Sequence, residues 1–315
     1  MKVLVPGASG FIGRNLVRAL PRDAEILALY HRSKDFPDFL LEQGLSHIRP
    51  VQVDLADADQ VREKLGPEKS FDAIFFLAAN GNPSLSVELP AFDLQANTLT
   101  VVNLLEVCTA GDFIYMSSGA VYDGLVGPAS PTAPLSPRLP YAVSKLATEY
   151  YLHFFHEWRG QLERLTILRF FGAFGPYEPP RKIYTRLVRA FAWERKKEFE
   201  VRGDGTNLID AMYVDDVVAG LLKVWQSQGE GGVFDYGSGE PLTIDELVRR
   251  AAGAFGNDDV KIVHQDTTAE PIHFTIDPQP FAQRFSFQRQ FTLEEGLQSM
   301  RTYMEKEGWR DKAIV

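Results

Sequence analysis

The sequence has 315 residues, of which 45% are hydrophobic, so it is long enough for one large domain or two small ones with a packed core. Its formal net charge of −9 argues against nucleic acid as a partner, because contacts to phosphates need a basic surface. The longest apolar runs have strand length, far below the roughly 20 residues that cross a bilayer, and the first residues do not resemble a signal peptide, so we expect a cytoplasmic protein without a membrane segment.

Short apolar runs alternate with helical patterns through the first half of the chain. Continuous apolar strands separated by helices predict a parallel sheet with helices on both faces. Right-handed crossovers then give a doubly wound α/β domain, which we place at residues 1–174. The predicted strands cover residues 3–6, 26–30, 47–54, 73–79, 113–117 and 165–170, and the predicted helices cover 11–20, 94–109 and 141–158.

A glycine-rich turn joins the first predicted strand to the first predicted helix. A pyrophosphate that binds at a helix N-terminus must approach bare backbone N–H groups, and both the tight turn and the close helix packing require glycine. An ordinary strand-to-helix turn is the alternative. The strand–turn–helix setting favours a dinucleotide site, in which the turn residues are cofactor ligands. These residues are Gly7, Ala8, Ser9, Gly10, Phe11, Ile12 and Gly13.

The residues after the second and third predicted strands bear on which dinucleotide is bound. An acidic side chain after the second strand would bind the ribose hydroxyls of NAD, but His31 and Arg32 stand there instead. These cations suit the 2′-phosphate of NADP, unless they form a solvated basic loop. We therefore expect NADP, with NAD as the alternative. Asp54, followed by Leu55, either accepts a hydrogen bond from the adenine or caps the next helix.

Tyr141 and Lys145 lie four residues apart at the start of a predicted helix, directly after Pro140. At this spacing both side chains project from one face, where a lysine ammonium would move the tyrosine pKa toward neutrality for acid–base catalysis. The pair alone also fits an ordinary surface helix. Ser118 favours the catalytic interpretation, because it follows a parallel strand at the sheet edge where ligands bind. A turn or cap is the alternative role for this serine.

The cysteine and the histidines do not indicate a nucleophile or a metal site. Cys108, the only cysteine, lies in an apolar helical stretch, so we expect a buried thiol in a reducing compartment. His153 and His156 are better explained as a solvated pair on a helix than as metal ligands. We predict no metal.

The pattern changes where a breaker-rich stretch follows the sixth predicted strand. A basic amphipathic helix is predicted at residues 181–195, and capping-box sequences begin two later helices at Thr243 and Thr292. We interpret residues 175–315 as mainly a smaller, C-terminal substrate-binding lobe, with residues 207–236 returning to the first domain.

A series of short motifs occurs in a fixed order along almost the whole chain. Beyond the glycine turn, they are Leu77-Ala78-Ala79, Asn97, Ser118, Val121-Tyr122, the Tyr141 and Lys145 pair, Arg169 with Gly175-Pro176, Tyr213-Val214-Asp215-Asp216-Val217, Gly237-Ser238-Gly239-Glu240-Pro241 and Leu293-Glu294-Glu295-Gly296-Leu297. Each motif alone is common, but the set is specific. Together they resemble the extended short-chain dehydrogenase/reductase family, in its NAD-dependent epimerase/dehydratase branch.

The resemblance implies a Rossmann domain and an enzyme that transfers hydride between a nicotinamide and a carbinol carbon, typically on the sugar of a nucleotide-sugar. Tyr141 would be the general acid/base, Lys145 its activator and a ligand of the cofactor ribose, and Ser118 the group that orients the substrate. Asn97 would support the site from the neighbouring helix, and Leu77, Ala78 and Ala79 would contact the cofactor.

The resemblance also implies a homodimer, in which the helices predicted at 94–109 and 141–158 pair across the interface. An aromatic run on the second helix fits such an interface, and plain core packing is the alternative. The run consists of Tyr150, Tyr151, Phe154, Phe155 and Trp158.

The chain departs from the family pattern in the substrate site. Gly119 and Ala120 stand where dehydratases carry an Asp–Glu pair, so a sugar 4,6-dehydratase is disfavoured. Gly172 replaces the usual asparagine, and Ile209 replaces an arginine that usually binds the diphosphate in a bidentate manner. Either other cations bind the diphosphate, or the substrate is not a nucleotide-sugar. Candidate cations are Arg181, Lys182 and Arg186.

Three functions are therefore open. The first is an NAD(P)-dependent epimerase or keto-reductase of a sugar-type, nucleotide-linked substrate. The second is an NADP-dependent reductase of a small carbonyl compound that carries no nucleotide. The third is a non-catalytic dinucleotide sensor or scaffold, against which the intact Ser118, Tyr141 and Lys145 argue, because a sensor has no need of an acid/base pair.

Overall fold

A seven-stranded parallel sheet forms the centre of the computed structural model, which describes residues 1–267 and 273–309. In chain order the strands are β1 (Lys2–Pro6), β2 (Glu25–Tyr30), β3 (Ile48–Gln52), β4 (Ser70–Phe76), β5 (Thr109–Met116), β6 (Val126–Ala129), β7 (Leu162–Phe170), β8 (Ala173–Phe174), β9 (Glu198–Arg202), β10 (Leu208–Ile209), β11 (Met212–Tyr213), β12 (Gly232–Tyr236), β13 (Leu242–Thr243), β14 (Lys261–Gln265) and β15 (His273–Ile276). The sheet has the order β12-β7-β5-β4-β1-β2-β3. The short strands pair as β6 with β15, β8 with β11, β9 with β14, and β10 with β13.

Helices follow most strands of the sheet and lie on both of its faces. They are α1 (Phe11–Ala19), α2 (Phe36–Glu42), α3 (Ala58–Leu65), α4 (Pro83–Glu88), α5 (Pro90–Leu94), α6 (Thr100–Leu105), α7 (Pro140–His153), α8 (Ile183–Val188), α9 (Val214–Gln226), α10 (Ile244–Ala254), α11 (Gln279–Phe285) and α12 (Leu293–Lys306). Wider π-helical turns continue α5, α7 and α8 at Gln95–Leu99, Phe154–Trp158 and Arg189–Trp193, and 3-10 turns lie at Gly66–Glu68 and Gly119–Tyr122.

The apolar strands explain why both faces of the sheet are covered. Alternate side chains of a strand point to opposite faces. Val3 and Val5 of β1 belong to a buried cluster with α1 and α9, whereas Leu4 belongs to a second cluster with α3 and α6. The arrangement confirms the predicted doubly wound α/β sheet. A third apolar cluster, outside the sheet, joins α8, α10 and α12.

The predicted strands are confirmed, but the helix predicted at 94–109 is wrong at both ends. The helical segment already begins at α5, with Pro90 in the first helical position, and α6 stops at Leu105. Residues 109–112 extend β5 instead, although they lack an apolar pattern. A Cβ added at Gly111 would lie 2.9 Å from the Asp72 carbonyl oxygen, so glycine allows the close pairing of β5 with β4.

Two later features follow the sequence predictions. Thr243 and Thr292 each form a complete capping box at the start of α10 and α12. The segment that we expected to return to the first domain supplies β12, which pairs in parallel with β7 at the edge of the sheet.

Candidate functional site

The glycine turn after β1 is too tight for any other residue at two positions. Gly7 has φ +85°, and a Cβ added there would lie 2.6 Å from the Ala78 backbone nitrogen. A Cβ at Gly13 would lie 2.2 Å from the Gly7 carbonyl oxygen. Phe11 and Ile12 begin α1 directly after the turn. A helix N-terminus that begins on bare backbone is a cradle that fits a pyrophosphate.

A cavity of about 400 Å³ lies over this turn, at the carboxyl ends of the first four strands. Its size and position suit a dinucleotide. The predicted cofactor residues that line it are Gly7, Ser9, Gly10, His31, Arg32, Asp54, Leu55, Leu77, Ala78 and Ala79. Further lining residues that we did not identify from the sequence include Tyr30, Val53, Asn80, Phe92 and Gln95. Tyr30 ends β2, and Val53 and Asn80 come shortly after β3 and β4, so these three could have been found from the strand ends, whereas no sequence feature singled out Phe92 or Gln95.

Arg32 lines one end of this cavity. Its guanidinium carbon lies 5.7 Å from the centre of the Phe92 ring, so the side chain stays at the cavity wall. His31 Nε2 lies 3.6 Å from Asp54 Oδ2. The other carboxylate oxygen of Asp54 accepts a hydrogen bond from the Ala56 backbone N–H at 3.0 Å. Asp54 therefore lines the cavity and also closes the turn after β3.

The three predicted catalytic residues meet beside the carboxyl end of β5. Tyr141 and Lys145 lie in the first turns of α7, and Ser118 follows β5, close enough for its hydroxyl to lower the pKa of Tyr141. The Lys145 ammonium donates a hydrogen bond to the Met116 carbonyl oxygen at 2.6 Å and lies 4.3 Å from the Tyr115 ring centre. Ser118 Oγ also accepts from the Ala120 N–H at 3.1 Å, so the serine acts as a turn cap as well.

Burial is the main cause of the pKa shifts of Tyr141 and Lys145. It raises the pKa of Tyr141, against the hydrogen bond from Ser118, and the charge of Asp93 raises it further. The same burial lowers the pKa of Lys145 to about 7, against the opposing charges of Glu149 and Asp93. The expected shift of the Tyr141 pKa toward neutrality is therefore wrong for the protein alone, because desolvation of the phenolate dominates.

Asn97 belongs to a buried polar cluster behind the catalytic pair. Its side-chain nitrogen donates to Asp93 Oδ1 at 3.0 Å and to Ser144 Oγ at 2.9 Å. Its side-chain oxygen accepts from the Asn80 backbone N–H at 2.8 Å. Sequence reasoning found Asn97 through the family resemblance but missed Asp93, because no pattern predicts that a carboxylate on a short helix is buried.

A second buried network fixes the far side of α7. The Arg169 guanidinium donates to Glu149 Oε2 at 2.8 Å and to the Tyr122 hydroxyl at 3.0 Å, and the Ser117 hydroxyl donates to Glu149 Oε1 at 2.5 Å. The Tyr122 hydroxyl in turn donates to Asp235 at 2.7 Å. These bonds tie α7 to β7, β12 and the end of β5.

The ring of Phe171 packs against Gly119, at the position where dehydratases carry an acidic side chain. A Cβ added at Gly119 would lie 2.8 Å from the Phe171 ring, so the ring fills the space beside Ser118. Gly172 is the second position at which the chain differs from the family pattern. A Cβ added there would lie 3.1 Å from the Asp210 carbonyl oxygen and 3.2 Å from the Ala211 Cβ. Both glycines therefore have neighbours packed tightly against them.

A larger cleft of about 880 Å³ lies between α8, the paired strands β9 and β14, and α4. Arg186 and Arg202 line it, together with Asn207 and His264. The Arg186 guanidinium lies 5.2 Å from the Phe199 ring centre. The cleft is linked to the catalytic residues through α4, because the Ser86 hydroxyl of this helix accepts a hydrogen bond from the Tyr141 backbone N–H at 3.0 Å. Ile209, in contrast, packs against the third apolar cluster.

An exposed apolar face runs along α4, α5 and α7. Tyr150 is 67% exposed and Trp158 82% exposed, whereas Phe155 of the same aromatic run is buried. One member of the run is therefore in the core and the others are on the surface, and their role in a dimer interface stays a prediction. The exposed members of the face are Val87, Leu89, Leu94, Leu99, Val143, Tyr150, Tyr151, Phe154 and Trp158.

Over residues 1–267 and 273–309, no group of three or more His, Cys, Asp or Glu side chains is placed to hold a metal ion. His153 pairs with Glu157 at 3.0 Å, and His156 Nδ1 lies 2.8 Å from the Leu162 carbonyl oxygen. Cys108 is buried, which raises the pKa of its thiol to about 12. No helix within the described ranges is long and apolar enough to span a membrane.

Comparison with known proteins identifies the family. The model of the NAD-dependent epimerase/dehydratase family matches residues 3–237. A UDP-glucose 4-epimerase of Mycolicibacterium smegmatis is 29% identical over 94% of this chain and 96% of its own length. UDP-glucuronate 4-epimerase 4 of Arabidopsis thaliana is 30% identical over 78% of this chain and 62% of its own length.

Solved structures agree in fold. UDP-glucose 4-epimerase of Thermotoga maritima, determined with UDP-glucose, has a TM-score of 0.85 and 25% identity, and the match covers 98% of this chain and 99% of that one. MoeE5, determined with UDP-glucuronic acid and NAD, has a TM-score of 0.82 and 27% identity, with 98% and 100% covered. The chain is therefore a member of the NAD-dependent epimerase/dehydratase family of extended short-chain dehydrogenases/reductases, as its motifs predicted.

Proposed function

We propose that this protein is a nucleotide-sugar epimerase that uses a bound nicotinamide dinucleotide. The observation that carries the proposal is the meeting of Tyr141, Lys145 and Ser118 beside the carboxyl end of β5, at the same sheet edge as the dinucleotide cavity. Its relatives support the substrate class, since the relative matched over 96% of its own length is a UDP-glucose 4-epimerase, and one matched over 62% of its length is a UDP-glucuronate 4-epimerase. The ring of Phe171 at Gly119 argues against a dehydratase, which needs acids there.

The residues have separate tasks in this mechanism. A nicotinamide bound in the cavity would supply the hydride chemistry of the reaction, in which the carbinol carbon loses a hydride and regains it on the opposite face. Ser118 donates a hydrogen bond to the substrate oxygen and holds it next to Tyr141. Tyr141 accepts the hydroxyl proton as the carbonyl forms and gives it back when the alcohol is restored. Lys145, when protonated, favours the phenolate form of Tyr141, and the Met116 carbonyl holds its ammonium group in place.

The cleft beside α8 is the proposed site of the nucleoside diphosphate. Two arginines, Arg186 and Arg202, line it beside the acidic Glu200, Asp204 and Asp266, and they are the candidate partners of the phosphates in place of Ile209. Of the cations suggested by the sequence, Arg186 lies on the cleft wall. A substrate that reaches from this cleft to Tyr141 would pass α4, which lines the cleft through Ser84 and contacts the catalytic helix through Ser86.

Product analysis distinguishes the three candidate functions. We would incubate the purified protein with UDP-glucose, UDP-galactose and UDP-glucuronate and follow the sugar by proton NMR. An epimerase interconverts C4 epimers without net consumption of nicotinamide. A reductase instead consumes NADPH in proportion to product, with a 4-keto sugar or a small carbonyl compound as substrate. A sensor binds the dinucleotide and does neither, which would refute the proposal.

We propose NADP as the preferred cofactor, although MoeE5 was determined with NAD. The reason is Arg32, which stands at the cavity wall where a 2′-phosphate would lie. Arg32→Ala should weaken NADPH binding by about tenfold, because a charge-assisted hydrogen bond is lost, and should leave NADH binding unchanged. Isothermal titration with both dinucleotides measures this. Equal weakening for both would show that Arg32 does not select for the phosphate.

We also propose that the protein is a homodimer, formed through the exposed apolar face. A monomer seldom exposes a continuous apolar surface of this kind. Tyr150→Glu, near the middle of α7, should place an unpaired charge in the interface and shift the protein to monomer in light scattering after size exclusion. Leu41→Glu is the matched control, because Leu41 is also 67% exposed but lies on α2, away from this face. A dimer that survives Tyr150→Glu would exclude this surface.

A further inference from the structure

We propose that Asp93 is a positioning residue of the active site, whose carboxylate fixes, through Ser144, the turn of α7 that carries Tyr141 and Lys145. Asp93 lies on α5 and is fully buried. Its carboxylate accepts hydrogen bonds from Ser144 Oγ at 2.5 Å, from Asn80 at 2.7 Å and from Asn97 at 3.0 Å. The role in catalysis rests on the function proposed above.

The chemistry of its partners argues that Asp93 is not there for stability alone. All three donors are neutral side chains, and a buried carboxylate with neutral partners is costly to desolvate. A buried carboxylate next to an acid/base pair points to an electrostatic effect on the pKa values of that pair.

The position of Ser144 explains how Asp93 acts on geometry. Ser144 lies between Tyr141 and Lys145 in the sequence, and its hydroxyl contacts both the Asp93 carboxylate and the Tyr141 carbonyl oxygen, the latter at 3.0 Å. Ser86 bonds the Tyr141 backbone N–H from α4. The first turn of α7 is thus held from two directions, by α4 and by α5.

The carboxylate also acts through its charge. Asp93 raises the pKa of Tyr141 and opposes the lowering of the pKa of Lys145. The other titratable groups that face this pair are Glu149 from the same helix and Tyr115 from β5. Glu149 is paired with Arg169, whereas the hydrogen bonds that Asp93 accepts within the described part of the chain come from the neutral donors given above. Asp93 therefore favours the protonated forms of both catalytic side chains.

Two variants compare the loss of the charge with the loss of the clamp. Asp93→Asn removes the charge and keeps the shape, but it replaces one of the two acceptor oxygens by an N–H donor. Ser144→Ala removes the hydroxyl that connects Asp93 to α7 but leaves the charge in place. The readout that needs no substrate is the ¹³C NMR titration of the protein labelled at the lysine Cε. The Lys145 resonance, assigned with Lys145→Met, should titrate near neutral pH in the unchanged protein.

We expect Asp93→Asn to lower the midpoint of the Lys145 titration by about 1 pH unit, and to move the pH profile of kcat/KM in the same direction. Ser144→Ala should leave the midpoint unchanged and lower kcat by about tenfold at every pH, because Tyr141 is less well placed. An unchanged midpoint in Asp93→Asn, or an unchanged kcat in Ser144→Ala, would overturn the proposal. If Asp93→Asn does not fold, Ser144→Ala still tests the clamp.

The midpoint of the Lys145 titration can be measured whether or not the protein is an epimerase. A shifted Lys145 midpoint in a protein that converts no nucleotide-sugar would support the role of Asp93 and refute the proposed substrate. Epimerase activity with an unshifted Lys145 midpoint would support the proposed substrate and refute the role of Asp93.

Discussion

Tyr141→Phe should lower the turnover of the enzyme by about 10³-fold while the protein stays folded and keeps its dinucleotide affinity. General acid–base catalysis contributes factors of this order, and the variant removes only the hydroxyl that transfers the proton. The ring of Tyr141 fills the same space as before, because the change deletes one oxygen. Ser118 then loses its partner but keeps its bond to the Ala120 N–H. The measurement is single-turnover reduction of bound nicotinamide on mixing with UDP-glucose.

The control for this prediction is another tyrosine on the same helix. Tyr151 is 47% exposed, and Tyr151→Phe should leave the rate unchanged. Titration with NADH should give the same affinity for both variants as for the unchanged protein. A Tyr141→Phe enzyme that retains more than about a tenth of the rate would assign the proton transfer to a different group.

The rate should also depend on pH in a predictable direction. A base works in its deprotonated form, and burial raises the pKa of Tyr141, so activity should rise as the pH is raised from neutral. Lys145, with a pKa of about 7, loses its positive charge over the lower part of this range, and because the protonated lysine favours the phenolate, this loss opposes the rise and makes it shallower. The two groups interact, so the profile reports apparent values for the pair.

Local sequence patterns were sufficient for the sheet and for the dinucleotide cavity. Apolar strands and a glycine turn are short-range features, and ten of the predicted cofactor residues line one cavity in the fold. The turn residues Phe11, Ile12 and Gly13 instead support this cavity from α1.

Other features depend on contacts between distant segments, which periodicity does not show. The π-helical turn at Gln95–Leu99 and the extension of β5 toward Thr109 are set by packing against neighbouring elements. The burial of Asp93 depends on Ser144, about fifty residues later in the chain. The raised pKa of Tyr141 is likewise a property of the folded environment, so the Tyr–Lys spacing alone gave the wrong direction.

The largest effect on stability is expected at Arg169. Its side chain is 5% exposed and that of its partner Glu149 is 4% exposed, so Arg169→Met leaves a buried carboxylate without its cation. Breaking a buried pair from one side costs about 3–5 kcal/mol, because the remaining charge is desolvated and uncompensated. The Ser117 hydroxyl still donates to Glu149, but one hydrogen bond from a neutral group does not compensate for the lost cation. Urea denaturation, followed by circular dichroism, gives the free energy of unfolding.

Two further variants show whether the cause is the unpaired charge. Arg250 and Glu294 form the same kind of two-pronged pair on the surface, with side chains 40% and 42% exposed, and Arg250→Met should cost less than about 1 kcal/mol. The double variant Arg169→Met with Glu149→Leu should be more stable than Arg169→Met alone, because the carboxylate that lost its cation is then removed as well. If the double variant is the less stable of the two, the loss arises from packing around Tyr122 and β7, and Glu149 contributes to α7 through its bond to Ser117.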